Sequence, residues 1–159
     1  MLTSLAAMDR PPRATLTAVP DDHTDLARRC AEAMYVKDIA SQTLGITIDA
    51  VGPGTARATM AVRVDMLNGH GICHGGYVFT LADTAFAFAC NSYDDVTVAA
   101  GADVTFLAPV EAGTTLIATA TERARRGRSG LYDVAVATEA GDVVAEFRGR
   151  SRSLGRPLL

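Results

Sequence analysis

The chain lacks a disulfide framework, a membrane-length apolar run and an excess of basic charge, and each absence removes a class of function. Cys30, Cys73 and Cys90 are its three cysteines, irregularly spaced over 159 residues. That pattern does not fit a stapled secreted scaffold, and it favours a reducing compartment. The longest apolar run, 77–90, carries Asp83 in its middle and is shorter than the ~20 residues that cross a bilayer. No basic start followed by a long apolar core marks a signal peptide. Lys and Arg total 15 against 18 Asp and Glu, a net charge of −3, which argues against nucleic acid as a main partner. No repeat or low-complexity tract is present. The expectation is a cytoplasmic protein with neither a membrane nor a nucleic-acid partner.

What remains is the composition of one ordinary domain: 48% of residues are hydrophobic, enough for a substantial core. Residues 1–22 hold Pro11-Pro12, Pro20 and Asp21-Asp22 without periodicity and read as a loosely ordered leader, with a single domain over 23–156. A short helix is predicted over Asp25 to Lys37, capped by Thr24 or Asp25, with Leu26, Cys30, Ala33 and Met34 on one side. Leu44 to Val51 and Thr55 to Val64 read as a hairpin about Gly52-Pro53-Gly54. Four more extended segments, Thr97 to Leu107, Thr114 to Glu122, Leu131 to Thr138 and Val143 to Ser151, are separated by glycine and proline turn signals. Val143, Ala145 and Phe147 should point one way along the last of them, and Glu146, Arg148 and Arg150 the other. Strands grouped around one helix indicate an α+β domain in which a curved antiparallel sheet wraps that helix.

The helix is predicted to run from Tyr77 to Cys90. Val78, Ala82, Ala85 and Ala89 recur at spacings of three and four, and Phe79, Phe86 and Cys90 flank them, so hardly any face is polar and protein is needed on every side. Small residues let a sheet approach, and Gly75-Gly76 admits close backbone contact at the helix start. Asp83 is the single charge. An unpaired carboxylate in such surroundings costs several kcal/mol or takes up a proton, which makes it a candidate for chemistry; the competing reading is a carboxylate satisfied by a neighbouring Thr or amide. The amides that follow His74 have no intrahelical partner and lie at the positive end of the helix dipole, where a carbonyl oxygen turning into an oxyanion would be stabilised. Gly75 and Asp83 are eight residues apart, roughly 12 Å along a helix. One helix cannot bring both to one carbonyl. Either their jobs are unrelated, or a second copy lies antiparallel so that Asp83 of one subunit faces Gly75 of the other.

The stretch Asn68-Gly-His-Gly-Ile-Cys-His-Gly-Gly, followed by Leu81-Ala-Asp-Thr-Ala-Phe-Ala-Phe-Ala-Cys-Asn-Ser, resembles the signature of the hotdog-fold acyl-CoA thioesterases, and within them the phenylacetic-acid-degradation (hydroxyphenylacetyl-CoA thioesterase) branch. The likeness extends into Val104-Thr-Phe-Leu-Ala-Pro and Glu146-Phe-Arg-Gly-Arg-Ser and covers most of residues 40–155. It implies a hotdog fold, a homodimer with active sites across the interface that pairs into a tetramer, and hydrolysis of an aryl-acyl or similar CoA thioester. By position it implies Asp83 as catalytic carboxylate, Gly75 as carbonyl-polarising amide, and Asn68 and His74 as residues that orient water or thioester. Gly76, Phe79 and Thr84 fall beside these as substrate-binding candidates. Some relatives place water with a Ser or Thr on the strand after the helix. Here Val98-Ala-Ala-Gly-Ala offers no hydroxyl, so Thr84 or Asn68 would have to substitute.

His70, Cys73, His74 and Asp83 are all acceptable metal ligands, but their spacing matches no zinc template, and an amide dipole can polarise a thioester without a metal or other cofactor. Cys73 beside His74 reads as a small filler rather than an activated thiol. Arg123, Arg125, Arg126 and Arg128 crowd one hairpin, and guanidinium groups suit the phosphates of coenzyme A; Arg125, Arg126 and Arg128 are the candidates. Phe79, Phe86 and Tyr93 either form an aromatic acyl pocket or belong to the core. Asp83 as general base or as nucleophile both fit a thioesterase. A hydroxyacyl-thioester dehydratase of the same fold and a non-catalytic acyl-CoA sensor are the competing functions. The first lacks its usual Pro-rich linker here, and the second gives no reason to keep Asp83.

Overall fold

The computed structural model describes residues 22–159. The expected leader lies outside them except for Asp22, which is already helical. Helix α1 (Asp22–Tyr35) and a six-residue α2 (Ile39–Leu44) precede the hairpin β1 (Thr47–Gly52) and β2 (Thr55–Ala61). A 3-10 turn (Val64–Met66) leads to α3 (Gly75–Cys90), followed by β3 (Thr97–Phe106), β4 (Thr115–Arg126), β5 (Ser129–Thr138) and β6 (Val143–Ser153). All neighbours in the six-stranded sheet are antiparallel, in the order β1-β2-β4-β5-β6-β3.

Three local expectations need correction. Helix α1 starts three residues before Asp25, with Asp22 and Asp25 both in the first turn, where the helix dipole favours acids. Its buried stripe is Ala27, Cys30 and Ala31, and Leu26, Ala33 and Met34 are only half-buried. Helix α2 was not anticipated, although its signals are in the sequence: Asp38 accepts from the Ser41 amide at 3.0 Å, and Gly45 ends the helix in the left-handed conformation at φ 71°. This helix delays β1 to Thr47. On β6 the alternation holds from Ala145 onward, but a bulge at Val144 turns Val143 out to solvent.

Helix α3 lies across the sheet, chiefly on β2, β4 and β5. The close approach depends on small residues in the strands as well as in the helix. Ala56, Ala58, Ala118 and Ala120 are buried beneath it. At Gly149 a Cβ would come within 2.7 Å of the Phe86 ring. Phe86 is fully buried there, 5.4 Å from Tyr132 and 5.8 Å from Phe147 between ring centres. The need for protein on every side of α3 is met within the chain except along one stripe. Gly76, Thr80, Asp83 and Ala87, spaced four, three and four, stay partly open. The sheet has a matching open place at β3, an edge strand whose Val98, Ala99 and Ala100 are exposed and whose outer backbone groups have no ladder partner among the described residues.

Candidate active site

The start of α3 is fixed by the loop before it. The Asn68 amide donates to Ile72 O at 2.8 Å, and Gly71, at φ 74°, donates to Asn68 O at 2.9 Å. The Asn68 side-chain oxygen accepts from the His70 amide at 2.9 Å, leaving its NH2 free to donate. Cys73 and His74 anchor the far end of the loop through Val110 O and Met66 O, at 2.7 and 2.9 Å. His74 is the N-cap: its backbone is extended, and its Nδ1 accepts from the Gly76 amide at 2.9 Å. The ring proton therefore sits on Nε2. Tyr77 donates to His74 O at 2.9 Å. The Gly75 N–H has no acceptor among the described residues and lies at the positive end of the helix.

Gly75 and Asn68 open onto the same cavity, about 490 Å³, whose other walls include Val78, Phe106, Pro109 and Val144. The Phe106 ring lies directly over Gly75, so that a Cβ on Gly75 would meet it at 2.9 Å. Half-exposed Phe106 is the aromatic wall that sequence reasoning missed. It stands inside the Val104-Thr-Phe-Leu-Ala-Pro stretch, but nothing in one sequence says that this strand end folds over Gly75.

Asp83 is not in this cavity. It is half-buried on the open stripe of α3, with no hydrogen bond or ion pair among the described residues. The hydroxyls that might have satisfied it are engaged elsewhere: Thr80 donates to Gly76 O at 2.8 Å, and Thr84 lies 3.2 Å from Ser41 Oγ. Burial alone raises its pKa above the ordinary carboxylate value. The structure thus favours a carboxylate held in reserve over one locked into a local network. About 12 Å of helix separates it from Gly75.

The other candidates divide. Thr84 is buried against α2 beside Ser41, whereas Asn68 faces the cavity at Gly75. The Gly76 amide is occupied by His74. Phe79 packs edge-on against Phe147 at 5.3 Å, and Phe86 against the same ring, so both belong to one aromatic core, whereas Tyr93 lies beyond the far end of α3. The structure does not bring the three aromatics together within one chain. Cys73 is buried, which raises its thiol pKa and opposes thiolate formation. Among the described residues no three His, Cys, Asp or Glu side chains form a metal-holding group.

The hairpin arginines are also split. Arg125 stacks over the Tyr93 ring at 3.7 Å, and Arg128 donates to Ser153 O at 2.8 Å; both line a cleft with Cys90 at the C-terminal end of α3. Arg126 follows Arg125 in register and so points to the opposite face of the sheet. Arg123 and Arg148 share Asp133, whose carboxyl the Arg148 guanidinium holds below its ordinary pKa.

No helix among the described residues is long and apolar enough to cross a membrane. A family model described as "Thioesterase superfamily" matches residues 70–145. The chain is 46% identical to the acyl-coenzyme A thioesterase PaaI of Escherichia coli K12 over 125 residues, 79% of this chain and 89% of that protein. It is similar in structure to the E. coli PaaI protein from the phenylacetic acid degradation operon, with a TM-score of 0.84, 43% identity, and coverage of 86% of this chain and 99% of that one. A variant of the phenylacetic acid degradation protein PaaI from Thermus thermophilus gives a TM-score of 0.70 at 36% identity, covering 72% of this chain and 98% of that one.

Proposed function

This chain belongs to the thioesterase superfamily, and from that premise we propose that it hydrolyses acyl-CoA thioesters to a free acid and coenzyme A. Its antiparallel six-stranded sheet around one long helix is the hotdog fold. The proposed substrates are aryl-acyl thioesters such as phenylacetyl-CoA or hydroxyphenylacetyl-CoA. The likeness to PaaI proteins supports this, as does an apolar cavity with Phe106 standing over the Gly75 amide.

The observation that carries the mechanism is a pair of unsatisfied groups on one helix, the Gly75 N–H and the Asp83 carboxylate, too far apart to act on one carbonyl. In the proposed homodimer two α3 helices run antiparallel along their open stripes, and each site takes Gly75 from one chain and Asp83 from the other. The Gly75 amide and the dipole behind it polarise the thioester carbonyl and stabilise the charge on its oxygen as the carbon becomes tetrahedral. Asp83 acts by one of two routes. As base it takes a proton from water while the resulting hydroxide attacks the carbonyl carbon; as nucleophile it forms an anhydride with loss of the thiolate, and water then cleaves the anhydride. In both, the C–S bond breaks and the coenzyme A thiolate is reprotonated. Asn68 orients water or thioester with its free NH2, and His74 holds the Gly75-Gly76 backbone in place. Arg125 and Arg128 would meet the phosphates: they lie a helix length, roughly 24 Å, from Gly75 of their own chain, but only about 10 Å of helix beyond Asp83, the point that faces Gly75 of an antiparallel partner. The reaction as proposed needs no metal or other cofactor, and two such dimers pairing into a tetramer complete the reading.

The test is release of free thiol from a panel of acyl-CoAs. Steady turnover, with higher kcat/KM for arylacetyl-CoA than for straight-chain acyl-CoAs of equal carbon number, is expected. Saturable binding without thiol release would indicate a sensor and defeat the proposal.

A further inference from the structure

We propose, on the thioesterase reading, that Phe106 is a specificity-determining gate. Its ring rests on Gly75, turns aside as a thioester carbonyl reaches the Gly75 N–H, and then packs against the ring of an arylacetyl group. Of the five phenylalanines in the chain, Phe86, Phe88 and Phe147 are buried and Phe79 packs on Phe147, whereas Phe106 is 52% exposed. It stands outside the core cluster and pairs with no other aromatic ring among the described residues. With Leu107, which is exposed as well, it forms an apolar lip on the cavity of about 490 Å³. A ring left half in water forgoes much of the burial that stabilises the other phenylalanines, so packing alone does not account for its position.

What the ring does touch is the start of α3. Its far end, Cζ with the two Cε atoms, is what a Gly75 Cβ would meet at 2.9 to 3.3 Å. A carbonyl oxygen accepting from the Gly75 N–H would stand about 2.9 Å from that nitrogen. The acyl group attached to it therefore has to displace the ring. The strand beneath is pinned: Phe106 is in register with Ala145, and Leu107 and Ala108 both donate to Val144 O, at 2.9 and 3.3 Å. The half-exposed side chain is the part free to move, and such rotamer changes are fast compared with turnover. Ile72, Val78, Pro109 and Val144 give the cavity aliphatic walls, and Phe106 is its one aromatic wall among the described residues. Aromatic rings gain from edge-on or offset packing beyond the area they bury, so the displaced ring should favour an arylacetyl group over a straight chain of equal carbon number by about two- to tenfold.

Phe106→Leu keeps the apolar lip and removes the ring. Thiol release from phenylacetyl-CoA and from octanoyl-CoA gives two values of kcat/KM, and their ratio should fall by about two- to tenfold relative to the parent protein. An unchanged ratio overturns the gate, including the case in which both values fall together because the fold has suffered. A second variant needs no turnover. The chain has no tryptophan, so Phe106→Trp places its one indole at the gate. S-phenacyl-coenzyme A, a thioether that cannot be hydrolysed, should shift the emission of that indole saturably, and coenzyme A alone should not. No shift, or an equal shift with coenzyme A alone, overturns the proposal. A parent protein that releases no thiol, with an indole that still responds, would defeat the thioesterase reading and uphold the gate. Steady release with an unchanged ratio would do the reverse.

Discussion

The imidazole Nδ1 of His74 accepts from the Gly76 amide at 2.9 Å, so α3 opens with one amide capped and its neighbour, Gly75, without an acceptor among the described residues. Removing the cap in His74→Ala should cost about 1 kcal/mol of stability and loosen the backbone that presents the Gly75 N–H. His74→Asn carries a capping oxygen of its own. Urea denaturation should show the loss in the Ala variant and its recovery in the Asn variant, with kcat falling and recovering in step and KM little changed. Equal kcat in all three proteins would detach the cap from catalysis.

Asp83→Asn should lower turnover by on the order of a hundredfold or more while the assembly persists. The stability effect runs the other way. Burial raises the folded-state pKa of Asp83 above its ordinary value of 3.8, so the protonated form is the one the fold favours. Its stability contribution is full below 3.8 and is lost as pH rises through the raised value. Asparagine stays neutral throughout. The variant should therefore melt higher than the parent at pH 7, with the gap closing as pH falls toward 4. In the parent, kcat/KM should drop on acidification at a pH above the usual carboxylate range.

Shared sites predict complementation. Asp83→Asn and Gly75→Pro are each inactive on this mechanism, and proline is usually tolerated at the first helical position. Its ring would displace Phe106, which is 52% exposed and has space to swing away. A mixed dimer has one doubly defective site and one intact site, and random exchange makes about half the dimers mixed, so about a quarter of native activity should return. No recovery after demonstrated subunit exchange would place both groups' work within one chain.

Gly149→Ala should destabilise by roughly 1–3 kcal/mol, the usual cost of overpacking, because the new Cβ meets the Phe86 ring at 2.7 Å and that ring is enclosed by Tyr132 and Phe147. Thermal denaturation checks it. A change within experimental error would mean that α3 can lift from the sheet without penalty.

Periodicity made α3 legible, and turn residues made the strands legible, because both signals are local. Asp83 stood out because a charge in an apolar helix is costly wherever the chain folds. Phe106 over Gly75, Thr84 turned to Ser41, and Arg125 and Arg126 on opposite faces escaped for a different reason: each depends on a register or a long-range contact that sequence spacing does not encode. For the aromatic triplet the sequence left pocket and core equally open, because the convergence of Phe79 and Phe86, two turns apart on one helix, on Phe147 is again a long-range contact.

The three cysteines of this chain are all buried, and burial raises the pKa of each, that of Cys90 to about 12. Almost none of the native protein's sulfur is ionised near neutrality, so alkylating and disulfide-exchanging reagents should react with it slowly. A colorimetric thiol reagent present during turnover would then register the released coenzyme with little background from the enzyme. The same reagent, applied as denaturant is raised, would serve as a clock for the opening of the core, with Cys90 expected to be the last of the three to react.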